Sequence, residues 1–190
     1  MTGEVTAGAT AIPTPEAATT PAASVAGAAI PAAAPSPAAG ARAALVAGVG
    51  TFVGIAVIGG LARASGQPLV LGSFGASCVL LFGFPSGPFS QPRNVFGGHV
   101  LTSAVGLLAL GLLGPGWWAM ALAAAVAVAL MILTKTVHPP AGSNPVIIFV
   151  GHAAWPFLLV PTAAGAAMLV GVAWLFWRVR RPGAWPLRWW

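Results

Sequence analysis

The stretch "TVHPPAGSNPVIIF", Thr136 to Phe149, interrupts a long apolar run with polar and helix-breaking residues. Proline has no backbone N–H to donate and pushes the residue before it out of helical conformation, so Pro139 and Pro140 predict that a helix ends near His138. Asn144 followed directly by a proline is typical of a helix start. We therefore expect two helix ends to meet within this stretch.

The rest of the chain has the composition of an integral membrane protein. Of its 190 residues 58% are hydrophobic and only 5% are charged, which excludes a soluble globular class. A hydrocarbon layer about 30 Å thick needs about 20 apolar residues per helix, and several segments reach that length. Non-helical backbone at membrane depth survives only where protein buries it or where it lines a watery cavity. The break near His138 therefore indicates a functional interior.

Acidic residues are confined to the beginning of the chain, at Glu4 and Glu16, so residues 41–190 contain no carboxylate side chain. Cation pumps and most proton relays need a carboxylate within the membrane. A Ser-His-Asp triad also needs a carboxylate, to orient its histidine. The single cysteine, Cys78, permits neither a disulfide nor a multi-cysteine metal site. We expect no enzyme, no catalytic residue, no metal and no cofactor. Basic residues crowd between Arg178 and Arg188, which indicates membrane orientation rather than a nucleic-acid partner.

Three regions follow from the composition. Residues 1–41 form an Ala/Pro-rich tail that we expect to be disordered, residues 42–178 a transmembrane domain, and residues 179–190 a basic, Trp-rich cytoplasmic tail. The domain contains six hydrophobic segments: Ala43 to Ala62, Pro68 to Phe84, Val95 to Gly114, Trp117 to Val137, Asn144 to Val150, and Pro156 to Trp177.

The two short segments resemble each other. "GASCVLLFG", from Gly75, aligns with "GSNPVIIFVG", from Gly142, and each lies between two longer segments, which predicts an internal duplication. The predicted fold is all-α: a polytopic membrane helix bundle of four full transmembrane helices plus two short or re-entrant helices. Charge counting favours six crossings, with only Arg63 outside, whereas the length of residues 144–150 favours re-entrance. Both arrangements place both termini in the cytoplasm.

The polar blocks supply the candidate site. Backbone amides at a helix start attract anions, and the block "GSFGAS" from Gly72 offers a second such start beside the one at Asn144. In "SQPRNVFGGH", Ser90 to His99, the forked guanidinium of Arg93 suits planar oxyanions. Snorkelling to the interface is the alternative for the basic residues, and packing is the alternative for the histidines. The candidate substrate-binding residues are Ser73, Gly75, Ser77, Arg93, Asn94, His99, Lys135, His138, Gly142, Ser143 and Asn144.

These blocks resemble the HPP family of integral membrane proteins, which is named for the motif present here as His138-Pro139-Pro140. "LGSFGASCVLLFG", "SQPRNVFGGH" and "LTKTVHPPAGSNPVI" look like the hallmark blocks of that family and follow in its order. The resemblance implies a bundle of four transmembrane helices and a transport role. It also implies nitrite as substrate, since plastid and cyanobacterial relatives are associated with nitrite transport.

We therefore expect a transporter or channel for a small inorganic anion, nitrite by resemblance, in the inner (plasma) membrane. The substrate would sit between the short-helix starts near the middle of the bilayer, and a histidine would carry a coupled proton. The Gly50-xxx-Gly54 pair offers a close-packing face, which predicts a homo-oligomer. A neutral-solute channel and a non-transporting membrane assembly protein are the alternatives.

Overall fold

The structure, a computed structural model, describes residues 37–189, so the predicted tail falls almost wholly outside the described residues. The described part is all-helical, as predicted, and has no strand. Six α-helices follow one another in the order long, short, long, long, short, long. They are α1 (Pro37–Ser65), α2 (Phe74–Cys78), α3 (Pro92–Leu113), α4 (Trp117–Leu133), α5 (Asn144–Val150) and α6 (Ala164–Arg180).

The prolines and glycines account for the irregular turns beside the short helices. A 3-10 turn, Pro139–Ser143, leads into α5, and α4 ends at Leu133, earlier than the proline pair alone would require. The first short helix continues as a wider helical turn, Val79–Gly83, and a similar turn, Leu158–Ala163, precedes α6. Both short helices therefore belong to longer segments that are only partly helical.

Three helical stretches are long and apolar enough to cross a bilayer: Gly40–Ser65, Pro92–Leu113 and Leu158–Arg180. α4 has 17 residues, at the lower end of the range of about 17 to 25 that spans hydrocarbon. α4 is thus shorter than the three other stretches, and among the described residues the fourth predicted full span is not confirmed.

The first short segment runs through the bundle. It follows the end of α1, yet its own end returns to the start of α1, where a Cβ on Gly83 would lie 3.8 Å from Cβ of Ala47. Trp177, near the end of α6, donates its indole N–H to the carbonyl oxygen of Leu81 at 2.9 Å. The chain thus enters this segment at one end of the bundle and leaves it at the other.

The second short segment runs through in the opposite direction. It begins beside the start of α3, where Nη2 of Arg93 donates to the carbonyl oxygen of Thr134 at 2.7 Å. It ends with Ile148 and Phe149 packed in one apolar cluster with Ala119, near the start of α4. Neither short segment turns back in these contacts, so the predicted re-entrant form is not found. The six helical segments connect the two ends of the bundle six times.

Burial supports the predicted duplication position by position. Ser77 and Cys78 are buried, Val79 is exposed, and Leu81 and Phe82 are buried; Asn144, Pro145, Val146, Ile148 and Phe149 repeat that order. The first unit consists of α1, the first short segment and α3, and the second unit consists of α4, the second short segment and α6. Because each unit passes through the bundle three times, the two units run in opposite directions, as in inverted-repeat membrane proteins.

The two units also pack against each other reciprocally. The alignment of Gly75 with Gly142, continued along the chain, pairs Gly98 with Gly165. A Cβ on Gly98 would lie 3.0 Å from the carbonyl oxygen of Thr136, and one on Gly165 would lie 2.6 Å from that of Leu69, the aligned partner of Thr136. Glycine is needed at both positions because backbone approaches backbone there. Each unit therefore packs closely against the short segment of the other. Because each short segment is only partly helical, we call these two the broken segments.

The glycine pair of α1 is used inside the chain. A Cβ on Gly50 would lie 2.5 Å from Cγ of Phe82, and one on Gly54 would lie 3.3 Å from Cε2 of the same ring. This face is therefore occupied by Phe82 and is not available to a second copy. The glycine pair gives no support to the homo-oligomer, which stays a prediction.

Charge divides the two ends of the bundle. Of the eight Lys and Arg residues, all but Arg63 lie at the end where α1 and α3 begin and α6 finishes, which we call the basic end. The chain after α6 packs back onto this end: Trp185 is only 3% exposed and donates its indole N–H to the carbonyl oxygen of Ser90 at 2.9 Å. Trp185 is therefore a packing residue of the basic end.

Candidate functional site

The two broken segments meet in the interior of the bundle at a group of polar side chains that we call the central polar cluster. Segments 66–73 and 134–143 bring the starts of α2 and α5 together there, and α3 passes beside them. Polar groups at this depth are costly and mark functional pathways by default. The members, all buried, are Ser73, Ser77, His99, Ser103, His138, Asn144 and Thr162.

Asn144 links the broken segments to α3. Its Nδ2 donates to Oγ of Ser103 at 3.0 Å and faces Nδ1 and the carbonyl oxygen of His99 at 3.1 and 3.2 Å. Its Oδ1 accepts a hydrogen bond from Oγ of Ser73 at 2.9 Å. The carbonyl oxygen of His99 only accepts, which fixes the orientation of the amide. The predicted role of Asn144 as a helix cap is wrong, because the side chain reaches across the bundle.

The hydrogen-bond partners also assign the histidine tautomers. Nδ1 of His138 lies 2.8 Å from the carbonyl oxygen of Phe89, so Nδ1 carries the proton and Nε2 of the neutral ring accepts. The hydroxyl of Ser77, at 2.9 Å, donates to that Nε2, and it accepts in turn from Nε2 of His99 at 3.0 Å. Nδ1 of His99 then accepts from Asn144. Every donor and acceptor in this series of hydrogen bonds therefore has a compatible partner.

The same atoms accommodate one additional proton. If Nε2 of His138 is protonated it donates to Ser77, whose two lone pairs then accept from both histidines. The Ser77 hydroxyl can redirect its own proton to the carbonyl oxygen of Ser73, which lies 3.2 Å away. A proton added to Nδ1 of His99 would instead face the amide protons of Asn144. His138 is thus the ring that can gain a proton without any heavy atom moving.

The cluster is closed on itself. Among the described residues, no buried side-chain nitrogen or oxygen lacks a hydrogen-bond partner. The backbone amides at the short-helix starts are also engaged: that of Asn144 donates to Ala141, and that of Phe74 donates to Leu71. The sequence-based picture of free amides pointing into an open chamber is therefore wrong for this conformation. Any ligand of the cluster must exchange bonds with side chains.

A basic pocket lies between the central polar cluster and the basic end. It has a volume of about 110 Å³, and Gln91, Arg93, Asn94, Lys135 and Arg188 line it. Nδ2 of Asn94 donates to the carbonyl oxygen of Val137 at 2.9 Å, directly before His138. Asn94, which lies inside α3, therefore forms the floor between the pocket and the cluster.

The structure separates the predicted residues into three groups. Ser73, Ser77, His99, His138 and Asn144 come together in the central polar cluster, and Arg93, Asn94 and Lys135 come together in the basic pocket. The predicted site residues Gly75, Gly142 and Ser143 join neither: Gly75 and Ser143 are exposed, Gly142 is half-buried, and the hydroxyl of Ser143 bonds to Pro140 within its own turn at 2.8 Å.

Sequence reasoning missed four polar residues of these sites. Ser103 and Thr162 belong to the cluster, where their hydroxyl oxygens lie 3.1 Å apart, and Gln91 and Arg188 line the basic pocket. Ser103 stands four residues after His99 in one helix, a spacing that places both on the same face. That spacing is the signal that could have identified it.

The chemistry of the cluster is hydrogen bonding without fixed charge. Hydroxyl, amide and imidazole groups offer donors and acceptors, and the described residues contain no carboxylate. No group of three or more His, Cys, Asp or Glu residues that could hold a metal occurs in residues 37–189. Such a set suits a small polar or anionic solute better than a cation.

The sequence matches known membrane proteins over most of its length. The transmembrane region of the HPP family matches residues 36–186. A transmembrane protein of Dictyostelium discoideum is 35% identical over 130 residues, covering 64% of this chain and 46% of the relative. A second from the same organism is 34% identical over 129 residues, covering 64% and 42%. The chain thus spans less than half the length of these relatives, and no solved structure matches it significantly. This chain belongs to the HPP family of transmembrane proteins.

Proposed function

We propose that the protein transports a small inorganic anion, with nitrite as the substrate implied by family resemblance, and that the anion passes through the central polar cluster. One observation carries the proposal: the broken segments of two inverted units meet at a buried, acid-free polar cluster. Secondary transporters with inverted repeats bind substrate at such breaks, near the middle of the bilayer. The proposal assigns the cluster to binding and not to catalysis.

The available donors support an anion as substrate. The hydroxyls of Ser73 and Ser77 and the amide of Asn144 can each turn a proton toward a ligand that replaces their present partners. No carboxylate among the described residues would repel it. Arg93 and Lys135 in the basic pocket raise the local anion concentration next to the cluster. Side chains, rather than helix dipoles, supply the recognition.

Orientation in the membrane follows from charge. Lys and Arg collect on the cytoplasmic side of membrane proteins, so the basic end faces the cytoplasm and Arg63 faces outward. α1 begins and α6 finishes at the basic end, which supports a cytoplasmic position for both termini of the domain. Lipid covers the apolar outer faces of the bundle, and the host membrane is the plasma membrane.

Proton coupling follows from the hydrogen bonds of His138. Moving one negative charge into a negative cell interior costs about 2.3 kcal/mol per 100 mV, and a proton moving with the anion removes that cost. His138 can gain this proton while Ser77 turns its hydroxyl to Ser73. The charged ring and the anion then form a neutral pair within the cluster.

Nitrite flux into proteoliposomes tests the proposal. Purified protein should move nitrite faster than empty vesicles, and an imposed proton gradient in the same direction should increase the rate. His138→Gln should abolish that increase, whereas His152→Gln changes an exposed histidine and should leave it intact. Equal elution volumes on size-exclusion chromatography would show that the variants fold. Absence of flux for nitrite, nitrate and formate alike contradicts the proposal.

A neutral-solute channel is the second candidate, and the charge balance of the cluster favours it. All its members are satisfied with both histidines neutral, so donors and acceptors are matched without any ion. Such alternating groups can line a pore for a polar neutral molecule. Current recordings separate the two functions, because neutral flux carries no current and does not respond to membrane potential.

A further inference from the structure

We propose that a second site, between α1 and α6 at the basic end, binds the phosphate of an anionic phospholipid. The site is a cavity of about 540 Å³ that the ends of these helices form with residues 82–85. It shares no residue with the central polar cluster or the basic pocket. The inference is therefore independent of the proposed transport function.

Three arginines are among the residues that line the cavity. Arg42 comes from the start of α1, and Arg180 and Arg181 come from the end of α6 and the residue after it. The described residues contain no acid that could neutralise them. Guanidinium groups bind phosphate through paired hydrogen bonds, so three around one cavity form an anion site rather than a set of separate orientation signals.

Apolar side chains complete the cavity and point to a lipid rather than a free ion. Val46, Phe82 and Trp177 also line it. Next to it, Leu45 on α1 is 68% exposed and Val179 on α6 is 78% exposed, and both are large apolar side chains. A headgroup phosphate can occupy the arginines while its acyl chains lie along these helices. Basic pockets between helix ends at the cytoplasmic face are known to hold anionic headgroups.

Lipid retention tests the site directly. Purified full-length protein in detergent is mixed with equimolar phosphatidylglycerol and phosphatidylcholine, and bound lipid is counted by native mass spectrometry. We expect phosphatidylglycerol to be preferred. The double variant Arg42→Gln/Arg180→Gln should reduce its affinity about 25-fold, because each juxtamembrane arginine contributes about 1 kcal/mol, or about fivefold.

A matched control separates the site from net charge. Arg63→Gln/Arg178→Gln removes the same charge from residues that do not line the cavity; Arg178 lies over the Trp174 ring, 5.3 Å from its centroid. This variant should keep the preference within twofold. Equal losses in both double variants, or no preference in the wild type, would overturn the inference. Displacement of the lipid by millimolar inorganic phosphate would also overturn it, in favour of a soluble anion.

Discussion

Asn144→Ala tests the connection of the central polar cluster most directly. The amide is fully buried and links Ser73, His99 and Ser103. Hydrogen bonds between membrane helices average about 0.6 kcal/mol each, whereas a buried group left without a partner costs about 1–3 kcal/mol. Nδ1 of His99 is the group left alone, since the hydroxyls can turn. We expect a loss of about 2–4 kcal/mol in the free energy of unfolding.

The neighbouring residue provides the control. Ser143 is exposed and bonds only within its turn, so Ser143→Ala should change stability by less than about 0.5 kcal/mol. Titration of dodecyl sulfate into detergent micelles, followed by tryptophan fluorescence, measures both variants. Nitrite flux should fall at least tenfold in Asn144→Ala and remain unchanged in Ser143→Ala. Equal stabilities for the two variants would refute the hydrogen-bond assignment, and full flux in Asn144→Ala would refute passage through the cluster.

Three further predictions address packing, topology and charge. Gly165→Ala should destabilise by about 1–3 kcal/mol, because the new Cβ would lie 2.6 Å from backbone, whereas Gly171→Ala meets nothing within 4 Å and should be neutral or stabilising in thermal unfolding. Ser86→Cys should react with an impermeant thiol reagent only from the side that carries the termini, because the exposed Ser86 follows the first broken segment at the basic end. The native Cys78 is buried and should not react. Reaction of Ser86→Cys from the opposite side would indicate a re-entrant first segment. Asn144→Asp should abolish anion flux at neutral pH by adding a carboxylate to the cluster, and persisting flux would exclude the anion pathway.

The helix breaks could be predicted from sequence because proline acts locally. The meeting of the blocks around Ser77, His99 and His138 also followed from their polarity within apolar segments. Which side chain of a block faces inward could not be predicted. Ser143 and Asn144 are adjacent, but successive side chains on a helical turn differ by about 100° in direction. The packing of α3 against the second broken segment decides that Asn144 is buried and Ser143 exposed.

Partners in space were likewise beyond the sequence pattern. The Gly50-xxx-Gly54 pair indicates close approach by some group, and small-residue motifs of this kind often join separate helices. Here the ring of Phe82 fills the gap within the same chain. The direction of the short segments was also ambiguous, because a short helix takes either direction until its flanking residues are placed. The non-helical residues before α2 and the 3-10 turn before α5 lengthen the two segments enough to connect the ends of the bundle.

The two aligned units differ in sequence at the central polar cluster. The alignment of the units pairs His138 with Leu71 and His99 with Ala166. Leu71 and Ala166 are buried in one apolar cluster that also contains Phe74. From the central polar cluster toward the basic end, polar atoms of Asn94 and His138 line the way. Toward the opposite end, Leu71 and Phe74 close against α6. If the protein transports an anion as proposed, release on that side requires α6 to move away from these apolar side chains. In the proposed transport cycle, the polar contacts toward the basic end and the apolar contacts with α6 would open in turn, as gating between inverted repeats does in known transporters.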